Sequence, residues 1–306
     1  MRSYLLGLWE SGKLTIKVNL ITLIKLARKI MKWRKQHLIN AKDMCLSWFK
    51  RKPVEEIVYG DRTALLFGIN DYPGTVNDLN GCLNDIDDVA AKIKVLWPDM
   101  AVHKFKDGQV TRARFKAELA KAIEALPEGG TVVIFTDSCF SAGNTRSNPH
   151  LIKPRFMPPE VPSRRKRRRR VFRSVDMKWL AFSGCGEKQT SSDAFFNNRP
   201  NGAFTFFAEK CLNKITYGEL ISCVDRFLPS DKFPQDPELH GPDHLKSRVI
   251  GEGPTLIVWY SGHGSYVTDF SGDEVDGVDE TLYVYDGHVK DYELTAILIS
   301  REVRDI

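Results

Sequence analysis

Two apolar, β-branched segments that end abruptly in small polar residues constrain the fold of this chain more than any other feature. The first, residues 131–143, reads TVVIFTDSCFSAG, and the second, residues 255–264, reads TLIVWYSGHG. Short apolar runs with such boundaries are typical of fully buried strands in a parallel sheet. Because an open α/β sheet builds its active site at the carboxyl ends of its strands, we expect Cys139 and His263 to meet at one sheet edge.

Cys139 and His263 together predict a cysteine nucleophile with its base. A free thiol is only slightly ionised at neutral pH, so a histidine within hydrogen-bond reach would take its proton and later donate it to a leaving amine. The backbone amides of Cys139 and Gly264 are the candidate donors to the oxyanion of the tetrahedral intermediate. Taken singly, Cys139 would be interpreted as a buried small hydrophobe at a strand end, and His263 as a core histidine with a satisfied ring.

Strands and helices alternate along residues 57–306, and this alternation predicts a parallel sheet with helices packed against it. The predicted strands lie at 64–69, 101–105, 131–137, 177–183, 255–260 and 281–285. The predicted helices lie at 77–96, 111–126, 202–212, 217–227 and 292–300. Asn77 and Thr111 are the expected N-caps of the first two helices.

Several blocks of the sequence resemble metacaspases and their bacterial relatives, the caspase-like cysteine peptidases. DSCFSAG at 137–143 and YSGHGS at 260–265 resemble the two catalytic segments of the family. Further blocks with the same resemblance are ALLFGINDY at 64–72, LNGCLND at 79–85, FSGC at 182–185, QTSSDA at 189–194 and GAFT at 202–205. The resemblance covers roughly residues 60–300. It implies a caspase-like three-layer α/β/α sandwich with a mostly parallel central sheet.

The order of these blocks departs from the family. In metacaspases the histidine block precedes the cysteine block, whereas here the histidine-bearing residues 251–306 follow everything else. The chain therefore resembles a circularly permuted domain in which one strand and its following helix have moved to the C-terminus. Both cut points, 127–130 and 251–254, are rich in Gly and Pro, and exposed turns of this kind tolerate rearrangement best. The moved strand would have to enter between other strands instead of adding at an edge.

The resemblance also implies an endopeptidase whose substrates carry Arg or Lys at the cleaved position. The specificity-pocket positions of the family fall on Cys82, Asp85, Asp137 and Ser261. Asp137 lies two residues before Cys139 in a strand, so both side chains point to the same face, and recognition of a cation needs carboxylates there. The structural alternatives are compensation of a helix dipole for Asp85 and a hydrogen bond to a neighbouring loop for Asp137.

Residues 144–175 form a proline-broken loop that contains a run of basic residues, SRRKRRRR at 163–170. Such a self-repelling run predicts a flexible loop. Members of the family are often processed at a basic residue in this region, so the resemblance implies self-cleavage in the run. The candidate residues are Arg167, Arg168, Arg169 and Arg170. The alternatives are a patch for nucleic acid or another anionic surface and a nuclear-localisation-like run without a role. We expect no specific nucleic acid partner.

An acidic, glycine-broken loop follows His263, with the sequence DFSGDEVDGVDE at 269–280. Clustered carboxylates suit Ca²⁺, which takes about six to eight oxygen ligands. Many metacaspases need calcium, and the resemblance implies candidate ligands at Asp273, Asp276, Asp279 and Asp291. The spacing is not that of an EF-hand, and the alternative is a solvated acidic loop that attracts basic substrates. The cysteine–histidine chemistry itself requires no cofactor.

Residues 1–56 form a separate basic extension ahead of the peptidase-like domain at 57–306. Residues 1–52 hold 13 Lys and Arg but only 2 acidic residues, although the net charge of the whole chain is +6. At 20–35 the apolar positions recur with a 3.6-residue period and basic residues take the other face, which predicts an amphipathic helix. Residues 13–35 would then bind an anionic membrane surface or a partner, unless the helix packs on the domain with a solvated basic face.

The six cysteines show no CxxC spacing, which argues against a zinc site and against a disulfide framework in a chain of this length. A reducing, cytoplasmic location fits this pattern. The N-terminus lacks a clear apolar region with a cleavage site, so we expect no signal peptide. No segment reaches roughly 18 uninterrupted apolar residues, so a spanning helix is not expected either.

Three functions compete on these observations. The first is an Arg/Lys-specific cysteine endopeptidase, favoured because an inactive relative has no need to keep Cys139, His263, Asp85 and Asp137 together. The second is a catalytically inactive caspase-like scaffold or adaptor that binds through its basic N-terminal helix, favoured by the displaced histidine strand. The third is a binder of nucleic acid or membrane through the basic tail, in which the domain is incidental.

Overall fold

The structure is a computed structural model of the chain. It describes residues 9–10, 13–14, 57–74, 76–139, 152–159, 177–186, 189–268 and 278–300. Three sequence predictions fall outside these residues: the amphipathic helix at 20–35, the processing run at 167–170, and the calcium ligands Asp273 and Asp276.

The chain divides into two compact units, 1–57 and 58–306. In the first unit, two short strands pair antiparallel, β1 (Trp9–Glu10) with β2 (Lys13–Leu14). The second unit contains the remaining described elements and the predicted catalytic residues.

A six-stranded sheet forms the centre of the second unit. Its strands are β3 (Arg62–Gly68), β4 (Ala101–Lys106), β5 (Thr131–Asp137), β7 (Leu180–Ser183), β10 (Glu238–His240) and β11 (Thr255–Ser261). They lie in the order β10-β7-β5-β11-β3-β4, and every neighbouring pair except β10–β7 is parallel. The sheet is therefore mostly parallel, as the alternation of strands and helices predicts.

Helices pack against both faces of this sheet. They are α1 (Cys82–Leu96), α2 (Arg112–Ala125), α3 (Ala203–Cys211), α4 (Tyr217–Val224), α5 (Asp243–Lys246) and α6 (Asp291–Ile299). Alternate strand residues serve the two faces: Leu66 and Trp259 join the core under α1 and α3, whereas Phe67 packs on Phe115 of α2. Full burial of one such side chain contributes roughly 1.5–3 kcal/mol. No helix in the described part of the chain is long and apolar enough to cross a membrane.

Two small antiparallel sheets flank the central one. The first contains β6 (Ile152–Pro154), β8 (Ser192–Phe196) and β9 (Arg199–Gly202). The second contains β12 (His263–Thr268), β13 (Val278–Val284) and β14 (Gly287–Lys290). Most of these strands are not predicted from the sequence, because they are short and lack a long apolar run. They matter for function because β12 begins at His263 and β6 leads directly to Arg155, both in the candidate site.

The first long helix begins later than its sequence pattern predicts. α1 starts at Cys82, so Asn77 is not its N-cap. The N–H groups of Asn80 and Gly81 instead donate to the carboxylate of Asp193, at 2.9 and 3.0 Å. The N–H of Cys82, the first helical residue, donates to the side-chain oxygen of Asn70, so tertiary contacts order the start of the helix without a local cap. By contrast, Thr111 caps α2 as predicted, since its hydroxyl accepts a hydrogen bond from the Arg114 N–H.

The cysteines depart in part from the expected reduced state. Cys211, the last residue of α3, forms a disulfide with Cys223 of α4, with a Cα–Cα distance of 5.9 Å. The expectation of no disulfide is therefore wrong for this pair, because the packing of two short helices brings together cysteines that show no recognisable spacing motif. The free cysteines among the described residues, Cys82, Cys139 and Cys185, are all buried.

Candidate active site

The strand that leads to His263 lies in the middle of the sheet. β11 comes late in the chain, yet it pairs parallel with β5 on one side and with β3 on the other. The register places Ser261 beside Asp137. Cys139 and His263, each two residues further on, therefore leave the same edge of the sheet from neighbouring strands. This is the juxtaposition that the two apolar runs predict.

The backbones after β5 and β11 converge on one carbonyl group, that of Arg155. The N–H groups of Cys139 and Gly264 both donate to the Arg155 oxygen, each at 3.0 Å. Two backbone donors aimed at one carbonyl oxygen form the arrangement that stabilises an oxyanion in acyl transfer. Gly264 permits this close approach, since a Cβ atom at that position would overlap the carbonyl group of Cys139.

The backbone and ring of His263 are both fixed by neighbouring groups. Its N–H donates to the Tyr72 hydroxyl, and its carbonyl accepts from the Tyr260 hydroxyl, both at 2.8 Å. Ring atom Nε2 lies 2.6 Å from the carbonyl oxygen of Asn77. Because a carbonyl oxygen can only accept, Nε2 carries the proton in this contact and Nδ1 keeps a free lone pair. Nδ1 has no hydrogen-bond partner among the described residues.

The protonation states of the two catalytic candidates follow from their burial. Burial lowers the pKa of His263 to about 4, although the carbonyl of Asn77 works in the opposite direction. The imidazole is therefore neutral at pH 7 and can accept a proton. Burial also raises the pKa of the Cys139 thiol, and the neighbouring Cys185 raises this pKa further. With Arg155 in place, the pair thus rests as a thiol and a neutral imidazole.

The Cys139 sulfur is held by the backbone of Ser191. Sγ accepts a hydrogen bond from the Ser191 N–H at 2.6 Å and lies 3.2 Å from the Ser191 carbonyl oxygen, to which the thiol donates. The side chain is fully buried. Attack on a carbonyl carbon would require the sulfur to exchange these contacts for the substrate, with transfer of the thiol proton to a base.

The four predicted specificity residues surround a single buried guanidinium, that of Arg155. Nη2 of Arg155 lies 2.7 Å from Asp85, and Nη1 lies 3.1 Å from Asp137 and 2.7 Å from the Ser261 hydroxyl. Cys82 is buried in the same group, and its charge interactions include Arg155 and Asp85. Asp193, which the sequence reasoning missed as a site residue, adds a third carboxylate at 3.0 Å. We call these five residues, Cys82, Asp85, Asp137, Asp193 and Ser261, the carboxylate pocket.

The carboxylate pocket is electrostatically built for a cation. Burial works to lower the pKa of the Arg155 guanidinium, but Asp137, with Cys82, Asp85 and Asp193, holds this pKa above its ordinary range. Burial raises the pKa of Asp85 to about 6, and Arg155 opposes that rise. Three carboxylates outnumber one guanidinium in a space from which water is excluded, so a cation in the pocket is strongly favoured over a neutral group.

Backbone N–H groups of neighbouring elements hold the pocket carboxylates in place. Asp85 in the first turn of α1 accepts the N–H of Gly202 at 2.9 Å. Asp137 at the end of β5 accepts the N–H of Thr205 in the first turn of α3, also at 2.9 Å. Gly202 leaves room for the Arg155 guanidinium, because a Cβ atom there would overlap this group and Asp137. Asp85 lies in the first turn of α1, where a carboxylate compensates the helix dipole, and Asp137 also accepts a hydrogen bond from the hydroxyl of Ser191 in the segment before β8. Both structural alternatives are therefore compatible with the pocket.

The predicted calcium ligands are only partly described. Asp279 is buried and forms an ion pair with Lys290 at 3.0 Å. Asp291 accepts the N–H of Tyr292 at 2.7 Å, at the start of α6. Within the described ranges, no group of three or more potential metal ligands comes together. The Lys290 ammonium pairs with Asp279, and the calcium site stays a prediction because Asp273 and Asp276 lie outside the described residues.

Sequence reasoning missed three residues that complete the site. Asn77 supplies the backbone carbonyl that orients His263. Every residue has such a carbonyl, so the residue type gives no indication of this role. Asp193 lies within the block QTSSDA, where its acidic side chain was a usable signal. Arg155 lies in the proline-broken loop, where the much denser charge run at 163–170 is the more conspicuous basic feature.

Comparison with known proteins gives short matches to metacaspases. No family model matches the chain. The chain is 45% identical over 51 residues to metacaspase-1 of Arabidopsis thaliana, 43% over 49 residues to metacaspase-1 of Kluyveromyces lactis, and 46% over 48 residues to metacaspase-1 of Schizosaccharomyces pombe. These segments cover 14–15% of this chain and 11–14% of those proteins. The matched segments therefore span only a small part of the relatives' length.

Among solved structures, protein GSU0716 from Geobacter sulfurreducens is similar with a TM-score of 0.47 and 20% sequence identity. The similarity covers 62% of this chain and 98% of that chain. The mixed α/β fold with a mostly parallel central sheet is compatible with a caspase-like sandwich. The short matches thus suggest a relationship to metacaspases over about 50 residues.

Proposed function

We propose that this chain is a cysteine endopeptidase that cleaves peptide bonds after Arg or Lys, with Cys139 as nucleophile and His263 as base. One observation carries the proposal: a guanidinium sits in the carboxylate pocket while the carbonyl of the same residue accepts from the N–H groups of Cys139 and Gly264. Side chain and carbonyl of one arginine thus occupy the positions that a substrate residue would need. The partial similarity to metacaspases supports the same reaction class.

The proposed mechanism gives one role to each of these groups. His263 Nδ1 accepts the Cys139 proton, since Nε2 is committed to the Asn77 carbonyl. The thiolate attacks the carbonyl carbon, and the N–H groups of Cys139 and Gly264 stabilise the oxyanion. His263 then protonates the leaving amine, and a water molecule hydrolyses the thioester. The carboxylate pocket fixes the basic side chain, so that the scissile carbonyl enters the oxyanion hole in one register.

The proposal is tested first on peptides that differ only in the residue before the scissile bond. Arg and Lys peptides are expected to be cleaved, and Gln and Asp peptides are not. Asp85→Asn should lower kcat/KM for the Arg peptide by about 100-fold, because a charge-assisted hydrogen bond in a buried pocket contributes about 3 kcal/mol. The measurement is steady-state turnover of fluorogenic peptides by the full chain after preincubation.

Asp87→Asn is the matched control for Asp85→Asn. Asp87 lies on the same helix, but it is partly exposed and pairs with Lys104 and Lys106 instead of the pocket. Its substitution should change kcat/KM by no more than about twofold, as expected for surface pairs. Equal cleavage of Gln and Arg peptides, or an Asp85→Asn enzyme with unchanged preference, would contradict the proposed specificity.

A further inference from the structure

Two tyrosine hydroxyl groups meet at the backbone of His263. Tyr72 lies in the loop after β3, and Tyr260 is the last but one residue of β11. Both side chains are fully buried. The Tyr72 hydroxyl accepts the His263 N–H, and the Tyr260 hydroxyl donates to the His263 carbonyl, each at 2.8 Å. Side chains thus bind both backbone polar groups of the proposed base.

The two hydroxyl groups are also hydrogen-bonded to each other, which closes a cycle of hydrogen bonds. Burial raises the pKa of both phenols, while their mutual hydrogen bond works to raise the pKa of Tyr72 and to lower that of Tyr260. Tyr72 is therefore the donor in this bond and Tyr260 the acceptor. The Tyr260 hydroxyl is shared with the Tyr283 carbonyl, also at 2.8 Å, which connects the cycle to β13. We call Tyr72 and Tyr260 in this arrangement the tyrosine clamp.

Gly262 provides the space in which the two hydroxyl groups meet. A Cβ atom at this position would lie 2.6 Å from the Tyr260 oxygen and 2.7 Å from the Tyr72 oxygen. Both oxygens lie at the ends of rigid, fully buried rings, so neither can move away without disturbing close-packed neighbours. The tyrosine clamp therefore requires glycine directly before His263.

The tyrosine clamp is continuous with the groups that orient the imidazole. The Tyr72 ring packs on the His263 ring, with centroids 4.7 Å apart. The Tyr72 N–H donates to the Asp78 carboxylate at 3.0 Å, in the same loop that supplies the Asn77 carbonyl to His263 Nε2. One loop thus contacts the backbone of His263, the face of its ring and one of its ring nitrogens.

We infer that Tyr72 and Tyr260 are positioning residues that hold the His263 imidazole where Nδ1 can take the Cys139 proton. The inference rests on the proposed peptidase function, because it gives the tyrosine clamp a role in that reaction. Within the described part of the chain, the hydrogen bonds of the two hydroxyl groups lead to His263, to Tyr283 and to each other, and not to the pocket carboxylates. Loss of a hydroxyl should therefore impair proton transfer and not the binding of a basic side chain.

The test compares the full chain with Tyr72→Phe and Tyr260→Phe, which each remove one hydroxyl group and keep the ring. For the Arg peptide, each variant should lower kcat by at least about 10-fold and leave KM within about twofold, because a misplaced base slows the chemical step without removing substrate contacts. The double variant should lose little more than the slower single variant, since the first substitution already opens the cycle.

Tyr217→Phe is the matched control for both substitutions. Tyr217 is another fully buried tyrosine, but it packs against Phe182 in the main core and not at His263. Its substitution should leave kcat and KM within about twofold of the parent values. Urea unfolding of all variants measures stability separately from turnover.

Three results would overturn the inference while the proposed function stands. The first is a lower urea midpoint with unchanged kcat, which is what a purely structural role of the hydroxyl groups predicts. The others are kcat losses that add in the double variant and a loss of equal size in Tyr217→Phe. If Tyr72→Phe does not fold, the kcat and KM of Tyr260→Phe decide. A parent chain that does not turn over the Arg peptide would instead overturn the proposed function, and the inference with it.

Discussion

Replacing Cys139 by alanine is expected to lower turnover of an Arg peptide by at least about 10⁴-fold and to leave the fold intact. Without the thiol, no thioester can form, and loss of a covalent nucleophile is among the largest single effects in enzymes of this kind. The side chain is small and fully buried, so its truncation leaves a cavity of only one sulfur atom. Steady-state turnover and the urea midpoint of unfolding measure the two expectations separately.

Cys185→Ala is the matched control for Cys139→Ala. Cys185 is buried in the same apolar cluster as Cys139 and Phe156, but its thiol donates towards the carbonyl groups of Ser138 and Gln189. Turnover by the Cys185→Ala enzyme should stay within a few fold of the wild type. If Cys139→Ala retained turnover, or if only Cys185→Ala lost it, Cys139 would not be the nucleophile.

The central sheet could be predicted because its signal is local. Each run, such as 131–137 and 255–260, is apolar, β-branched and bounded by small polar residues, so strand and edge can be located from the sequence alone. The carboxyl-edge rule then predicts that Cys139 and His263 approach each other. The local sequence pattern does not predict that β11 lies between β5 and β3, because strand order depends on which neighbouring strands bury β11 best.

The errors arose where tertiary contacts override local preference. Asn77 is a good N-cap residue by type, yet its carbonyl orients His263 and Asp193 takes over the start of α1. Arg155 was overlooked because a single arginine in a proline-rich loop has no periodic or motif signal. Its role depends on the pairing of β6 with β8, and short strands on small sheets are weakly encoded in sequence.

Replacing Arg155 by alanine is expected to lower the free energy of unfolding by about 3–5 kcal/mol. The substitution leaves Asp85, Asp137 and Asp193 in a buried pocket without their shared counter-charge, and removal of one partner from a buried ion pair costs about this much. The comparison is made by urea unfolding in the Cys139→Ala background, so that self-cleavage cannot contribute. Arg199→Ala, which removes a half-exposed pair with Asp88, should cost no more than about 1 kcal/mol.

The stability deficit of Arg155→Ala should depend on pH in a defined direction. Burial raises the pKa of Asp85 to about 6 even with Arg155 present, and loss of the guanidinium removes the main opposing effect. In the folded variant the pKa of Asp85 lies above its value in the unfolded chain, which is about 4. Between these two pKa values the folded chain binds more protons than the unfolded chain, so the stability of the variant falls as the pH rises through this window. The deficit should therefore be smaller at pH 5 than at pH 8.

A small guanidinium compound separates lost charge pairing from lost packing. Ethylguanidinium can enter the vacated carboxylate pocket, and a ligand that binds only the folded chain raises its melting temperature by mass action. We expect ethylguanidinium to stabilise Arg155→Ala but not the parent, because Arg155 fills the pocket of the parent. Tetramethylammonium cannot donate hydrogen bonds, so we expect it to stabilise neither protein. An Arg155→Ala variant as stable as its parent at pH 8, or insensitive to ethylguanidinium, would show that the three carboxylates do not require a cation. The same outcome would remove the physical basis for recognition of a basic residue by this pocket.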